Sequence, residues 1–266
     1  MTKLVYIGGY GHSGSTLLEY LLAASPMVIA CGEVASVLRE RGRKGKCTCG
    51  RKVKLCPVWG PFLTSTETLD GMTHEGLSRA LIARDGGAHA VLVDSSKTAW
   101  RSASVPFHLA RELGPDFCLV HLVRDPRAVS WSAVKKSGRR GTRPLMPLRS
   151  ASAALGWGIA NLACERFGRA YPERYLRIRY EDLARSPAEI IQGLFAELLP
   201  GAKWHPGNIG GSDNRHQLYG NRMRRSASLS LAEVKEDTGW TRDMPGVYRS
   251  LVSALNAPLR RRYGYE

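Results

Sequence analysis

The segment "YIGGYGHSGSTLLEYLL", Tyr6 to Leu22, poses the first chemical question. Gly9, Gly14 and Thr16 stand where a phosphate loop of the pattern G-x-x-x-x-G-K-[ST] has its two glycines and its hydroxyl. Ser15 fills the lysine slot. A glycine turn between a strand and a helix offers backbone N–H groups and a positive dipole end to an anion. Gly14 lets the backbone approach closely, and Ser13, Ser15 and Thr16 add hydroxyl donors. A purely structural turn is the plainer alternative. Without the lysine, the cationic help that a kinase needs at the outer phosphates is missing. A diphosphate-like donor that gives up its terminal group without Mg²⁺ needs less. His12 is the candidate replacement cation, and a neutral histidine capping the turn is the other reading.

"LVHLVRDPRAVSWSAVKK" has a similar logic. Arg124 ends an apolar run, and Pro126 suits the first turn of a following helix. A guanidinium there fits bidentate phosphate binding. Ser132 lies eight residues further on, about two helical turns away. An Arg124 that merely pairs with Asp125 is the alternative. Two phosphate-friendly strand ends favour a nucleotide carrying two separate phosphate groups.

These residues need a frame, and the chain supplies alternating strands and helices. "KLVYIGG", "HAVLVDSS", "DFCLVHLV" and "RYLRIRYEDL" read as strands, the first two as buried ones. Helices are expected at "STLLEYLLAA", "GLSRALIAR", "VPFHLAREL", "RDPRAVSWSAVKK", 150–170, "SPAEIIQGLFAELL" and 247–254. This order predicts a single α/β domain over 1–266, a central parallel sheet flanked by helices, with ligands at the strands' carboxyl ends. A Cys-rich insertion at about 31–61 and a basic loop at about 137–149 are expected to be irregular.

With these motifs placed, the chain resembles the P-loop sulfotransferases that use 3′-phosphoadenosine 5′-phosphosulfate (PAPS). "GYGHSGSTLL" is similar to their 5′-phosphosulfate loop, "RDPRAVSWS" to their 3′-phosphate site, and "RYEDL" to the segment whose tyrosine contacts the adenine. "CGE" and "CTCGRKVKLCPVW" are closer to the bacterial, carbohydrate and tyrosylprotein-type branch. The resemblance implies a P-loop sulfotransferase architecture. It also implies that Ser13, Gly14, Ser15 and Thr16 hold the 5′-phosphosulfate, Arg124 and Ser132 the 3′-phosphate, and Tyr180 the adenine. The family usually has Lys or Arg where this chain has His12, which is counted here among both the catalytic and the donor-binding residues. "GNRMRR" resembles the basic segment that closes over the donor, with Arg222 the candidate contact and Arg224 its rival. Glu33, in "ACGEV", is the expected general base. Lys97 would bridge the sulfuryl group and the leaving phosphate, and Asp94 is the alternative base. His108 and His121 lie in apolar patterns and are expected to be structural, as are Cys118 and Cys164.

"CTCGRKVKLC" offers Cys47, Cys49 and Cys56, with Cys31 as the candidate fourth ligand. C-x-C-x6-C could hold a structural zinc, but it is not a usual knuckle spacing. The expected state is unligated thiols in an irregular lobe, with no metal in the site. Trp240 is expected either under the basic segment or, more simply, in core packing.

The net charge of +16, from 39 Lys+Arg against 23 Asp+Glu, favours anionic ligands. No signal peptide or membrane span is read, so a cytoplasmic enzyme with reduced cysteines is expected. The expectation is sulfuryl transfer from PAPS to a small-molecule, carbohydrate or phenolic hydroxyl, giving PAP and a sulfate ester, with no Mg²⁺ requirement and no nucleic-acid or membrane partner. A P-loop small-molecule kinase and a basic nucleic-acid-binding protein are the rival classes. Ser15 argues against the first, and the lack of a recognition motif against the second.

Overall fold

The computed structural model describes residues 2–41, 46–64, 69–138, 146–204, 214–225 and 230–266. Five strands form one parallel sheet: β1 (Lys3–Gly8), β2 (Val28–Gly32), β3 (Val91–Asp94), β4 (Phe117–Val123) and β5 (Tyr175–Arg179). The first four are apolar runs buried almost throughout, as a sheet covered on both faces requires. Their spatial order is β2-β3-β1-β4-β5. The chain winds from β1 outward to β2, returns through β3, then crosses to β4 and β5. That reversal puts a crevice at the carboxyl ends of β1 and β4, where "GGYGHSGS" and "RDPR" emerge.

Helices α1 (Ser15–Leu22), α2 (Val34–Glu40), α3 (Gly60–Leu63), α4 (His74–Asp85) and α5 (Val105–Leu113) belong to the first half. The rest are α6 (Pro126–Gly138), α7 (Met146–Ala170), α8 (Tyr180–Arg185), α9 (Pro187–Leu198), α10 (Trp240–Asp243), α11 (Gly246–Leu255) and α12 (Ala257–Arg262). One face of the sheet packs with Leu17, Leu18, Leu21, Ile191 and Phe195 from α1 and α9. The other packs with Leu77, Leu81, Leu109 and Phe167 from α4, α5 and α7.

Three expectations need correction. The Cys-rich stretch is not irregular from Cys31, because Cys31 and Gly32 end β2 and Val34 opens α2. The segment expected as a basic loop at 137–149 is largely helical at its ends. Residues 137–138 finish α6 and 146–149 begin α7, where Pro147 sits in the first turn and needs no hydrogen-bonded N–H. The intervening 139–145 lie outside the described residues. His108 is not in an apolar setting either, since its side chain is about half exposed beside Glu75. His121, Cys118 and Cys164 are buried as expected, and His121 bonds Tyr175 Oη and Asn161 Oδ1, each at 2.7 Å. No helix among the described residues is long and apolar enough to cross a membrane.

Candidate active site

The loop after β1 is shaped by backbone geometry that side chains would obstruct. Gly14 has φ 97°, and a Cβ there would meet the Tyr180 ring at 2.5 Å. Gly14 is the N-cap of α1 with no side-chain cap, so the first amides of this helix are open to an anion. Ser15 and Thr16 face a cleft of about 790 Å³, whereas Ser13 is buried beneath the loop and its side chain does not line the cleft.

His12 holds a left-handed φ of 72°, costly for a residue with a Cβ, and its Nδ1 lies 3.0 Å from Ser132 Oγ. Burial, then Lys136, Lys97 and Arg124, lower its pKa to about 4. That lowering favours the neutral form, the turn-capping one of the two readings of this residue. Lys97 brings an ammonium to the same loop. It extends from beyond β3, and its Nζ donates to Ser15 Oγ at 2.9 Å and to Ser95 O at 3.0 Å.

The same ammonium lies 3.3 Å from Glu33 Oε1. Glu33 follows β2 and is the N-cap residue of α2, so its carboxylate projects from a strand's carboxyl end into the cleft. Ser36 Oγ donates to Glu33 Oε2 at 2.9 Å. Burial raises the Glu33 pKa, but Lys97 and the hydrogen bonds from Ser36 and Lys97 outweigh it, leaving the carboxyl below its ordinary value. Asp94, the alternative base, is fully buried away from the cleft. It accepts from Ser96 N at 2.8 Å, Ser96 Oγ at 2.6 Å and Val34 N at 3.3 Å, and lies 2.6 Å from His74 Nε2.

Arg124 leaves the end of β4 with a side chain only 7% exposed. It does not pair with Asp125, which caps α6 through Arg127 N at 2.8 Å and holds Arg127 Nη2 at 2.6 Å. The Arg124 guanidinium stacks 4.1 Å over the Tyr180 ring and donates to His12 O at 3.0 Å and Asp237 Oδ2 at 3.1 Å. Its Nε is buried without a partner among the described residues. The β4 end is fixed by Trp157 Nε1 donating to Arg124 O at 2.9 Å and Asp125 N donating to Glu181 Oε1 at 3.0 Å. Tyr265 Oη donates to Glu181 Oε2 at 2.6 Å, so the C-terminal residues brace the same corner.

One cleft thus gathers His12, Gly14, Ser15, Thr16, Glu33, Lys97, Arg124, Ser132 and Tyr180. The backbone of Arg222 belongs to a short 3₁₀ turn, but its side chain lies outside the described residues. Arg224 is buried, and its Nη1 donates to Gly220 O at 2.8 Å. Trp240 lies under Arg127, 4.8 Å from its guanidinium, and packs with Trp131 and Met244, in line with the core account.

Sequence reasoning missed Glu19. It is buried in α1, accepts from Gly32 N at 2.6 Å and Ser95 Oγ at 2.8 Å, and so ties the ends of β2 and β3 that carry Glu33 and Lys97. The signal was an acid in the apolar run "STLLEYLL". Asp237, about half exposed, was also missed, and no spacing marks it.

A profile described as the sulfotransferase family matches residues 5–206. Among solved structures, the chain is similar to the sulfotransferase domain of the Synechococcus PCC 7002 olefin synthase. They share 19% identity at a TM-score of 0.62, covering 96% of this chain and 94% of that one. It is also similar to a sulfotransferase domain from the curacin biosynthetic pathway, with 19% identity, a TM-score of 0.55 and 97% of each chain covered. At these identities the likeness establishes the fold. No curated protein matches the sequence.

Proposed function

The chain belongs to the sulfotransferase family, and from that premise we propose that it transfers a sulfuryl group from PAPS to the hydroxyl of a small-molecule or carbohydrate acceptor. The observation that carries the reading is the pairing of two anion sites in one cleft. One is the open helix end at Ser15–Thr16 with Lys97, and the other is buried Arg124 with its unpartnered Nε. A donor with a 5′-phosphosulfate arm and a separate 3′-phosphate offers one anion to each of these sites.

PAPS supplies a sulfuryl group whose bond to the 5′-phosphate oxygen breaks as the acceptor oxygen bonds to sulfur, leaving PAP. The chain's part is positioning and charge stabilisation. The α1 amides, Ser15, Thr16 and Lys97 stabilise the charge that grows on the leaving phosphate. Arg124 and Ser132 anchor the 3′-phosphate, and Tyr180 lines the nucleoside side. Glu33, ionised at neutral pH, takes the acceptor proton, while Lys97 holds its carboxylate at the cleft. His12, being neutral, donates or accepts a hydrogen bond rather than supplying charge.

A thermal-shift series with PAP, ATP and ADP, each with and without Mg²⁺, tests the class. PAP at about 100 times its Kd should add about 2.7 kcal/mol of stability without Mg²⁺. Stabilisation by ATP only with Mg²⁺, and none by PAP, would favour a kinase and overturn the reading.

A further inference from the structure

A second cluster of chemistry-bearing side chains lies outside the cleft. Cys47, Cys49, Cys56 and His216 bring three sulfurs and one imidazole nitrogen within 4.8 Å of one another. Cys47 and Cys56 Sγ are 3.6 Å apart, and His216 Nδ1 lies 3.3 Å from Cys56 Sγ and 4.0 Å from Cys47 Sγ. A tetrahedral zinc, about 2.3 Å from sulfur and about 2.0–2.1 Å from nitrogen, puts its ligand atoms roughly 3.5–3.8 Å from one another. The spacing therefore suits one ion and is too close for cysteines divided among the irons of a cluster. Three soft sulfurs and an imidazole are a zinc donor set. Cys31, the fourth ligand considered from sequence, is not in the group, and His216 stands in its place.

The backbone is arranged around these atoms. Lys46 and Lys52 form an antiparallel bridge that closes a tight loop, within which Gly50 adopts φ 81° and donates to Cys47 O at 3.1 Å. Backbone N–H groups of Cys49 and Arg51 serve the sulfurs of Cys47 and Cys49, and Trp59 N lies 3.5 Å from Cys56 Sγ. Each sulfur thus receives an N–H, the outer-shell support that thiolate ligands use. Trp59 Nε1 also donates to His216 O, and His216 N donates to Ala30 O at 2.7 Å, which hold the histidine from behind.

We propose that Cys47, Cys49, Cys56 and His216 bind one structural zinc ion that clips the 46–59 lobe onto the segment 214–220. Four protein ligands close the site, so the ion has no open position for chemistry. Its leverage is positional. Thr48 Oγ1 donates to Arg215 O at 2.7 Å and accepts from Gln217 N at 2.8 Å, so the loop between the first two ligands already grips this segment. The segment then packs on Gly32, whose Cβ would lie 3.1 Å from Gln217 Cβ and Tyr219 O. Tyr219 and Gly220 go on to line the cleft beside Glu33. The zinc holds one wall of the cleft from outside.

The test uses the full chain purified without chelator or added metal. Elemental analysis and native mass spectrometry should find about one zinc per chain. Cobalt exchange should give the visible bands of a tetrahedral site and thiolate-to-cobalt charge transfer. Cys56→Ser and His216→Ala should each lose the zinc, while Cys118→Ser, a buried thiol outside the group, keeps it. Should the ligand variants fail to fold, the wild-type zinc content and cobalt spectrum still decide. Wild-type protein without zinc, with stoichiometric iron, or lighter by two hydrogens from a Cys47–Cys56 disulfide would overturn the proposal. Zinc retained in both ligand variants would do so as well. None of these readouts depends on the identity of the sulfuryl donor.

Discussion

At the residue scale, the proposed reaction rests on a few charges whose states follow from their neighbours. Lys97 keeps Glu33 ionised, so the base is ready but weak. Glu33→Gln should lower turnover on the order of 10²–10⁴-fold while leaving PAP affinity unchanged by calorimetry. Near-normal turnover would remove Glu33 as the base. Because its carboxyl lies below the ordinary value of 4.5, the proton-accepting form persists as pH falls through 4.5. The acidic limb of kcat/KM assigned to Glu33 should therefore lie below that value, and a limb near neutrality would point to another group. Arg124→Ala removes charge-assisted bonds to the 3′-phosphate and should weaken PAP binding about 10–100-fold. Arg124→Lys should not restore it, since a point charge cannot reproduce the fork. Local motifs were enough to single out Glu33 and Arg124, which the fold does bring into one cleft, but the state of His12 could not be read from them. Its neutrality is set by burial and by cations at 97, 124 and 136 that only the fold brings near.

At the scale of elements, strand ends do the positioning, and Glu19 joins two of them. Burial raises its pKa to about 7, against the hydrogen bonds from Ser95, Gln217 and Gly32. A carboxyl protonated in the native state but ionised in the unfolded chain binds more protons when folded. Stability from this group is thus full below about pH 4.5 and declines as pH rises towards about 7. Glu19→Gln should keep the fold and flatten the dependence of Tm on pH across that window. An unchanged slope would show that Glu19 is not the titrating group. The strands at 91–94 and 117–123 could be read from sequence because their apolar runs are continuous, and the helices at 105–113 and 187–198 because an apolar period follows a first-turn proline. β2 could not, since "VIACG" is short, ends in cysteine and glycine, and runs into a loop-like stretch. Its strand character comes from pairing with β3 and from the Ala30–Arg215 bridge, both long-range. The Cys-His group was half legible for the same reason. Three cysteines lie within ten residues, but the histidine that completes the set is 160 residues beyond Cys56.

At the scale of the whole molecule, the +16 charge sets a field that draws anions to the cleft, where Arg39, Lys97, Arg124, Lys136 and Lys235 converge. Within that field Asp237 acts as a local counter-ion. It holds Arg124 Nη2 at 3.1 Å through its carboxylate, and the Arg124 Nη2 contact to Asp237 O at 3.2 Å brings its backbone to the same place. Asp237 N in turn donates to Tyr180 Oη at 3.3 Å, so this segment lies across the residues assigned to the nucleotide. A 3′-phosphate arriving at Arg124 must share or displace that carboxylate. Asp237 is 53% exposed, so solvent screens the pair and its worth is small. Asp237→Asn keeps the backbone contacts and removes the competing charge, so PAP should bind about two- to five-fold more tightly. The gain should shrink as ionic strength rises and the Debye length falls below about 10 Å. Titrations of wild type and variant at low and high salt separate the two roles open to Asp237. Tighter binding at low salt identifies a competitor for the phosphate, whereas weaker binding at every salt would mean that its carboxylate is needed to aim Arg124.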